Sequence, residues 1–432
     1  MHRLLLLFAA FCAAAQPQTA RRHVVVISLD GFPAFAINDP KTPVPTLRKL
    51  IAQGAVARHM TTVNPTVTWP NHTAIVTGVD SSRHGLIVNG TLTRTNSWPP
   101  VKVEPWLPKE GMVHAPTVYD IAYKAGLTTA QVDWVAIKSA PTITWEFPEV
   151  PSADGKIEKE MIDKKLVDAD EVKNFGKLNI LRRDEIWTDA AVDIIRDHKP
   201  NLLLYHLLTL DTVHHNYGPG SLAATAAMAF LDGCVARVVQ AVHDAGLDSE
   251  TTFIIVSDHG FRAVKNQMNV NTAIANAGLT DKAWALPEGG FALVYVKPEG
   301  AAATIDSLRK TLNEVEGIAD IITPDRYAAF GLPDPKKDPQ MADLYLLAKP
   351  GYSFAGTKGG AVSTATLQTL GSHGYVNTDP DLDAIFIASG AGIKAGSVVE
   401  RIANLDVAPT VATLLGLKMP NVQGHPLAEI LK

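Results

Sequence analysis

HVVVISLD, residues 23–30, is a run of apolar and β-branched residues that ends in an acid. It does not alternate polar with apolar, so it reads as a strand covered on both faces, the habit of a parallel sheet. Two later runs have the same form: NLLLYHLLTLD at 201–211 and TTFIIVSDHG at 251–260. Helical patterns lie between and around them. These are PTLRKLIAQGA (45–55), TVYDIAYKAGL (117–127), EIWTDAAVDIIRDH (185–198) and SLAATAAMAFLDGCVARVVQAVHDAG (221–246). The last three finish near glycine or a basic residue, as helix C-termini do. Alternating strands and helices predict an α/β fold with a central, mostly parallel sheet and helices on both faces. In such sheets ligands sit just beyond the carboxyl ends of the strands, which is where Asp30, Asp211 and Asp258 fall.

Two segments fit the alternation less well. Residues 92–180 are rich in Pro, Trp and charge, and 262–370 hold LPEGGFALVYVKPEG and a glycine-rich FAGTKGGAVS. Both are expected to be insertions over the active edge of one catalytic domain spanning 23–432.

Composition narrows the class. The 432 residues carry 39 basic and 44 acidic side chains, a formal charge of −5. Nothing in that balance suggests a broad nucleic-acid-polymer surface, so any nucleotide is expected to be a small substrate held locally. The first 22 residues, MHRLLLLFAAFCAAAQPQTARR, have the charged start, apolar centre and small-residue site of a secretory leader, with cleavage near Ala15. The apolar run is too short to span a bilayer, so export to the periplasm or exterior is expected, without a stable membrane span. After cleavage only Cys234 remains, in a helical pattern, as a buried small hydrophobe. No Cys-x-Pro-x-Arg sequence is present, which argues against a formylglycine sulfatase.

The chemistry-bearing stretches lie at the strand ends. NPTVTWPNHTAIVTG (64–78) places Thr68 at a helix start, with Pro70 suited to the first turn. Its hydroxyl is either an N-cap or a nucleophile at the positive end of a helix. Asp211 and His215 stand four apart in DTVHHNYGP, so they project from one side of a helical turn; His214 is left to support or exposure. Asp258 and His259 are adjacent in SDHGF, where Gly260 permits a tight backbone, and His373 lies in GSHGY. Carboxylate and imidazole without thiolate suit a catalytic metal more than a structural one.

The ordered set of Asp30, TVTWPNH, DTVHHNYGP, SDHGF and GSHGY resembles the nucleotide pyrophosphatase/phosphodiesterase family of the alkaline phosphatase superfamily, from about Val24 to beyond Asp406. The resemblance implies an alkaline-phosphatase-like fold and two Zn2+ ions. Asp30, Thr68, Asp258 and His259 would surround one, and Asp211, His215 and His373 the other. It further implies that Thr68 is transiently phosphorylated and that Asn89, in HGLIVNGTL, donates its amide to a phosphate oxygen. By position the Trp69 N–H could donate there too. His72 reads as support for the loop. Asn71 and Asn89 both fit the N-glycosylation pattern but are discounted, since a glycan at Asn89 would block the site.

Substrate class is less sharply drawn. Monoesterases of the group meet the extra phosphate charge with a Lys-x-Arg pair; here only Lys138 matches, and Ala140 stands where arginine would be. That favours a phosphodiester or pyrophosphate substrate. The alternatives are a monoesterase or phosphonoacetate-hydrolase-like enzyme, and a non-catalytic protein that keeps its metals. Trp69 offers a stacking face for a base or lines another ester pocket. The family's second stacking residue, a tyrosine, is replaced by His206, with Tyr205 one step away.

Overall fold

The structure, a computed structural model, describes residues 22–95, 97–104, 106–356 and 360–432. The expected leader falls almost wholly outside the described residues, as does the centre of the glycine-rich FAGTKGGAVS.

Eight strands form the central sheet: β1 (His23–Leu29), β2 (Ala55–Thr61), β3 (Thr129–Val132), β4 (Trp145–Phe147), β5 (Leu202–Leu207), β6 (Thr251–Val256), β7 (Ala384–Gly390) and β8 (Ser397–Ala403). Their order is β8-β2-β7-β6-β1-β5-β3-β4. Only β7 runs against the rest, pairing antiparallel with both β2 and β6. The sheet is therefore mixed but mostly parallel, with helices on both faces. Register explains the two faces. Val25 and Ile27 of β1 pair with Leu203 and Tyr205 of β5, and all four enter a core shared with helices α1 (Pro45–Gln53), α3 (Ile180–His198) and α5 (Leu222–Asp244). Val24 and Val26 pair with Leu202 and Leu204 and face the other way, against α2 (Thr68–Thr77) and α6 (Val407–Leu414). Strands buried on both sides need no polar alternation, which is why these runs read as continuous. Among the described residues α5 alone is long and apolar enough to cross a membrane, yet Ala224, Leu231, Val235 and Val238 pack in the core.

Residues 92–180 are not simply an insertion. They supply β3 and β4 to the central sheet, and the helix Val118–Lys124 to its core. Their strands are four and three residues long, too short to leave a periodic trace. Residues 262–370 build a four-stranded antiparallel sheet and all but the last two residues of a three-stranded one, whose final strand runs to Ser372. Ala283–Glu288 and Phe291–Val296 pair across Gly289-Gly290, a two-residue hairpin turn with Gly289 at φ +71°. Phe291, Leu293 and Tyr345 of this sheet pack on Val67, Ile87 and Val88, so the excursion braces the loop before α2.

Candidate active site

Three neighbouring parallel strands, β6, β1 and β5, deliver the acids. Asp30 follows β1, Asp258 follows β6, and Asp211 lies in the first turn of helix α4 (Thr209–Tyr217), which follows β5. His215 is one turn further along α4, its Nε2 3.4 Å from Asp211 Oδ1. His259 Nε2 is 3.1 Å from Asp258 Oδ2 and 3.5 Å from Asp30 Oδ1. His373 approaches from the excursion, with Nε2 3.7 Å from the same Asp211 oxygen. Ligand atoms of Asp211, His215 and His373 lie within 4.8 Å of one another, as do those of Asp30, Asp211 and His259. Asp211 thus stands between the two expected groups.

Each histidine presents Nε2 because its Nδ1 proton is spent on a backbone carbonyl. His215 donates to Gly371 O (3.2 Å), His259 to Gly260 O (3.1 Å) and His373 to Thr66 O (3.2 Å). Fixing one ring nitrogen this way is how proteins set the tautomer of a metal ligand. A Cβ at Gly260 would come within 2.1 Å of the Asp381 carbonyl oxygen, so the Asp-His-Gly turn needs glycine. Asp30 Oδ1, Asp211 Oδ1, Asp258 Oδ2 and His259 Nε2 are buried without a hydrogen-bond partner. Buried polar atoms are rarely left so. Four converging on one point are what a cation would satisfy, and the donor set of carboxylates and imidazoles fits a divalent ion.

Electrostatics agree. Burial, then the Asp211 charge, push Asp30 up to about 6, and burial with Asp30 holds Asp258 well above the carboxylate range. Burial and His215 lower His373 to about 4; burial and His373 lower His259 further, keeping both neutral. Their rings stack at 3.9 Å. For His215 burial is outweighed by Asp211, which raises it to about 9; a cation on Asp211 would remove that pull.

Thr68 is the first residue of α2; the cap position is Val67, and no side chain caps the helix. The N-cap reading of Thr68 is therefore replaced by a hydroxyl that opens on a cavity of about 280 Å3. Asn89, Asp211, His215 and His373 line the same cavity. The Trp69 N–H does not point there unpaired: it donates to Asn89 Oδ1 at 2.9 Å. That bond orients the amide and leaves Asn89 Nδ2 as the available donor. His72, fully buried, donates from Nδ1 to Thr68 O (2.9 Å), the loop support expected of it. Asn71 is buried and bonded to Val63, Pro65 and Val67, which removes it as a glycan site.

His206 differs from its expected place as a stacking residue. It lies on the cavity floor, only 1% exposed, with Nε2 3.0 Å from Asp30 Oδ2 and Nδ1 3.1 Å from Asp133 O. Its ring packs edge-on to His72 at 4.5 Å, so it steadies Asp30 and offers no open face. Tyr205, one residue back on the strand, points to the opposite layer and bonds Thr188 Oγ1. His214 is buried and meets Gly31 O at 3.2 Å. Lys138 is not among the residues lining this cavity, its Nζ donating to Trp106 O at 2.8 Å, and Ala140 is buried in the core.

Asp133, Glu149 and Trp106 also line the cavity, and the sequence reading overlooked them. Asp133 had the same signal as the others, an acid directly after strand TAQV, but on a strand too short to notice.

Comparison with known proteins gives the same direction. The sequence matches the family described as Type I phosphodiesterase / nucleotide pyrophosphatase over residues 24–376. It is 23% identical to ectonucleotide pyrophosphatase/phosphodiesterase family member 3 of Rattus norvegicus, covering 98% of this chain and 46% of that protein. Family member 7 of the same organism is 22% identical, covering 96% and 88%. Venom phosphodiesterase 2 of Crotalus adamanteus is 24% identical, covering 95% and 47%. The chain thus spans about half the length of two of these relatives and most of the other. Human ectonucleotide pyrophosphatase/phosphodiesterase 5 shares the fold, with a TM-score of 0.73 at 18% identity over 95% of this chain and all of the other. The murine protein, solved as an inactive threonine-to-alanine variant in complex with AMP, superposes with a TM-score of 0.74 at 17% identity. The family match takes in all of the residues gathered around Thr68, and the chain belongs to the type I phosphodiesterase/nucleotide pyrophosphatase family.

Proposed function

We propose that this protein hydrolyses phosphodiester or pyrophosphate bonds of small substrates, nucleotides among them, through a phosphothreonine at Thr68. The observation that carries the reading is the convergence of three backbone-anchored histidines and three carboxylates on one point, with four of their atoms buried and unpartnered. Asp30, Thr68, Asp258 and His259 would hold one zinc ion and Asp211, His215 and His373 a second. When bound, such ions acidify a hydroxyl and offset charge on the leaving oxygen. Thr68 Oγ1 forms the new bond to phosphorus while the leaving alcohol or phosphate departs with its electron pair. Water then cleaves the phosphothreonine and restores the hydroxyl. Asn89 Nδ2, aimed by the Trp69 N–H, donates to a phosphate oxygen.

A diester is favoured over a monoester because Ala140 offers no second cation, Lys138 is committed to the Trp106 carbonyl, and Asp133 and Glu149 make the cleft acidic. A monoester would bring an extra negative charge with no partner. The names of the relatives, ectonucleotide and venom enzymes, support export of this chain as well.

The test compares bis-p-nitrophenyl phosphate with p-nitrophenyl phosphate. Faster release from the diester, abolished by chelator and by Thr68→Ala, is expected. Equal or faster turnover of the monoester would overturn the diesterase assignment. Metal-dependent binding without turnover of either would favour a non-catalytic protein.

A further inference from the structure

Helix α4 carries Asp211 and His215, two of the three residues expected to hold the second ion, yet it does not cap itself. Its cap position is Leu208, whose side chain has no oxygen to offer the free N–H groups of the first turn. The acceptor comes from another helix. Asp184, one turn into α3, takes the Leu208 N–H on Oδ1 at 3.1 Å and the Thr209 N–H on Oδ2 at 2.9 Å. The peptide between Leu207 and Leu208 is held from its other side as well, since Leu207 O accepts the Asp30 N–H at 2.9 Å. Together these bonds fix where β5 stops and α4 starts, relative to the strand end that bears Asp30.

The arrangement is kept against a cost. Asp184 is fully buried, and burial raises its carboxyl to about 6 although the Leu208 and Thr209 donors pull the other way. A neutral cap such as serine or asparagine would avoid that cost. Neither offers two equivalent oxygens to two adjacent N–H groups, and a carboxylate does. The backbone carrying the acid is braced in turn: Thr188 Oγ1 donates to Asp184 O at 2.6 Å and meets Tyr205 OH of β5 at the same distance.

From its first turn α4 passes this placement to the metal-holding atoms. Asp211 lies in that turn, and His215 follows one turn later with Nε2 3.4 Å from Asp211 Oδ1. On a helix of nine residues a frayed or shifted start displaces both together. Thr68, Asp258 and His259 stand on other elements. From this geometry we infer that Asp184 is a positioning residue for the second ion: its carboxylate sets the first turn of α4 and so holds Asp211 and His215 where they can bind. The inference rests on the two-ion reading of the Thr68 site, but it reaches an observable that needs neither turnover nor metal.

Three variants provide the test. Asp184→Asn keeps one acceptor and sheds the buried charge, Asp184→Ala keeps none, and Thr188→Val disturbs the contact between α3 and β5 while leaving the carboxylate. Zinc is titrated into the metal-free full chain in competition with a chromophoric chelator, and the parent should take up two equivalents. In the Asp184 variants one equivalent should stay within about threefold of the parent's affinity while the other weakens about tenfold to a hundredfold, more in Ala than in Asn. Thr188→Val should bind both as the parent does, even where its Tm is lower. The kcat for bis-p-nitrophenyl phosphate should fall in the Asp184 variants and recover as zinc is raised. Without metal, amide hydrogen exchange across 208–217 should quicken about fivefold or more in those variants, while β1 and β6 keep the parent's rates. Should Asp184→Ala fail to fold, Asp184→Asn carries the test. Equal weakening of both equivalents, unchanged affinity for both, or unaltered exchange in α4 would overturn the inference. A parent that takes up fewer than two equivalents would sink the two-ion reading, and the exchange rates would still decide this one.

Discussion

Replacing Asp30 by asparagine should make the metal-free protein more stable while destroying its ability to load metal. In the folded chain without a cation, burial and the Asp211 carboxylate raise the Asp30 carboxyl to about 6 from its ordinary 3.8. An acid whose pKa is raised on folding contributes fully below pH 3.8 and loses that contribution as pH rises through 6. A difference of this size corresponds to about 3 kcal/mol of destabilisation at pH 7. Asparagine keeps an acceptor for the His206 Nε2 proton, now 3.0 Å from Asp30 Oδ2, and removes the charge. For a chain this long, about 3 kcal/mol corresponds to a rise in Tm of roughly 3–6 °C. The assay is calorimetry of chelator-dialysed protein at pH 5 and pH 7.5, before and after adding zinc. The variant's advantage should shrink at pH 5, where the native carboxyl is largely protonated. Zinc should raise the Tm of the unaltered protein far more than that of the variant. An Asp30→Asn protein less stable than the parent at pH 7.5 without metal would refute the reasoning. It would mean that the carboxylate is already balanced by His206.

Other substitutions separate roles. Thr68→Ala should reduce diester turnover at least about a thousandfold while metal content by atomic absorption stays near that of the parent; loss of metal would make Thr68 a ligand first. His373→Ala should lower both metal content and the zinc-induced Tm gain, read by the same two methods. Asn89→Ala should lower kcat about tenfold to a thousandfold, and an unchanged rate would remove the amide from the reaction. Away from the site, Asp120 accepts from Lys109 Nζ and Thr142 Oγ1, both at 2.6 Å, and caps the helix Val118–Lys124. Asp120→Ala should cost about 3 kcal/mol in urea unfolding by stranding the lysine, without changing kcat of the surviving enzyme.

The sequence showed those parts of the fold whose physics is local. A strand buried on both faces must be apolar throughout, so β1, β5 and β6 were visible, and with them the acids that end them. Asp211 and His215 were readable as a pair because four residues make about one helical turn. What escaped had no periodic trace: β3 and β4 are too short, and Asp133 went unnoticed with them. The hairpin across Gly289-Gly290 carried its turn signal, but pairing partners such as Tyr345 lie far along the chain. The position of His206 depended on three dimensions. Only the packing of β5 against β1 reveals that its ring faces Asp30 and not the solvent. For the same reason the Trp69 N–H could not be known to be occupied by Asn89.

The position of His373 carries one more consequence. Asp30 lies near the beginning of the described chain, and His373 follows the entire four-stranded sheet; the two meet around Asp211, which is close to both. A ribosome-bound chain has most of the candidate metal-holding groups early, yet cannot complete them until the strand Ser363–Ser372 has paired with Arg262–Met268. An ion bound there would join contacts distant in sequence under one charge, so its loss should loosen the tie between the first strand and the segment that brings His373.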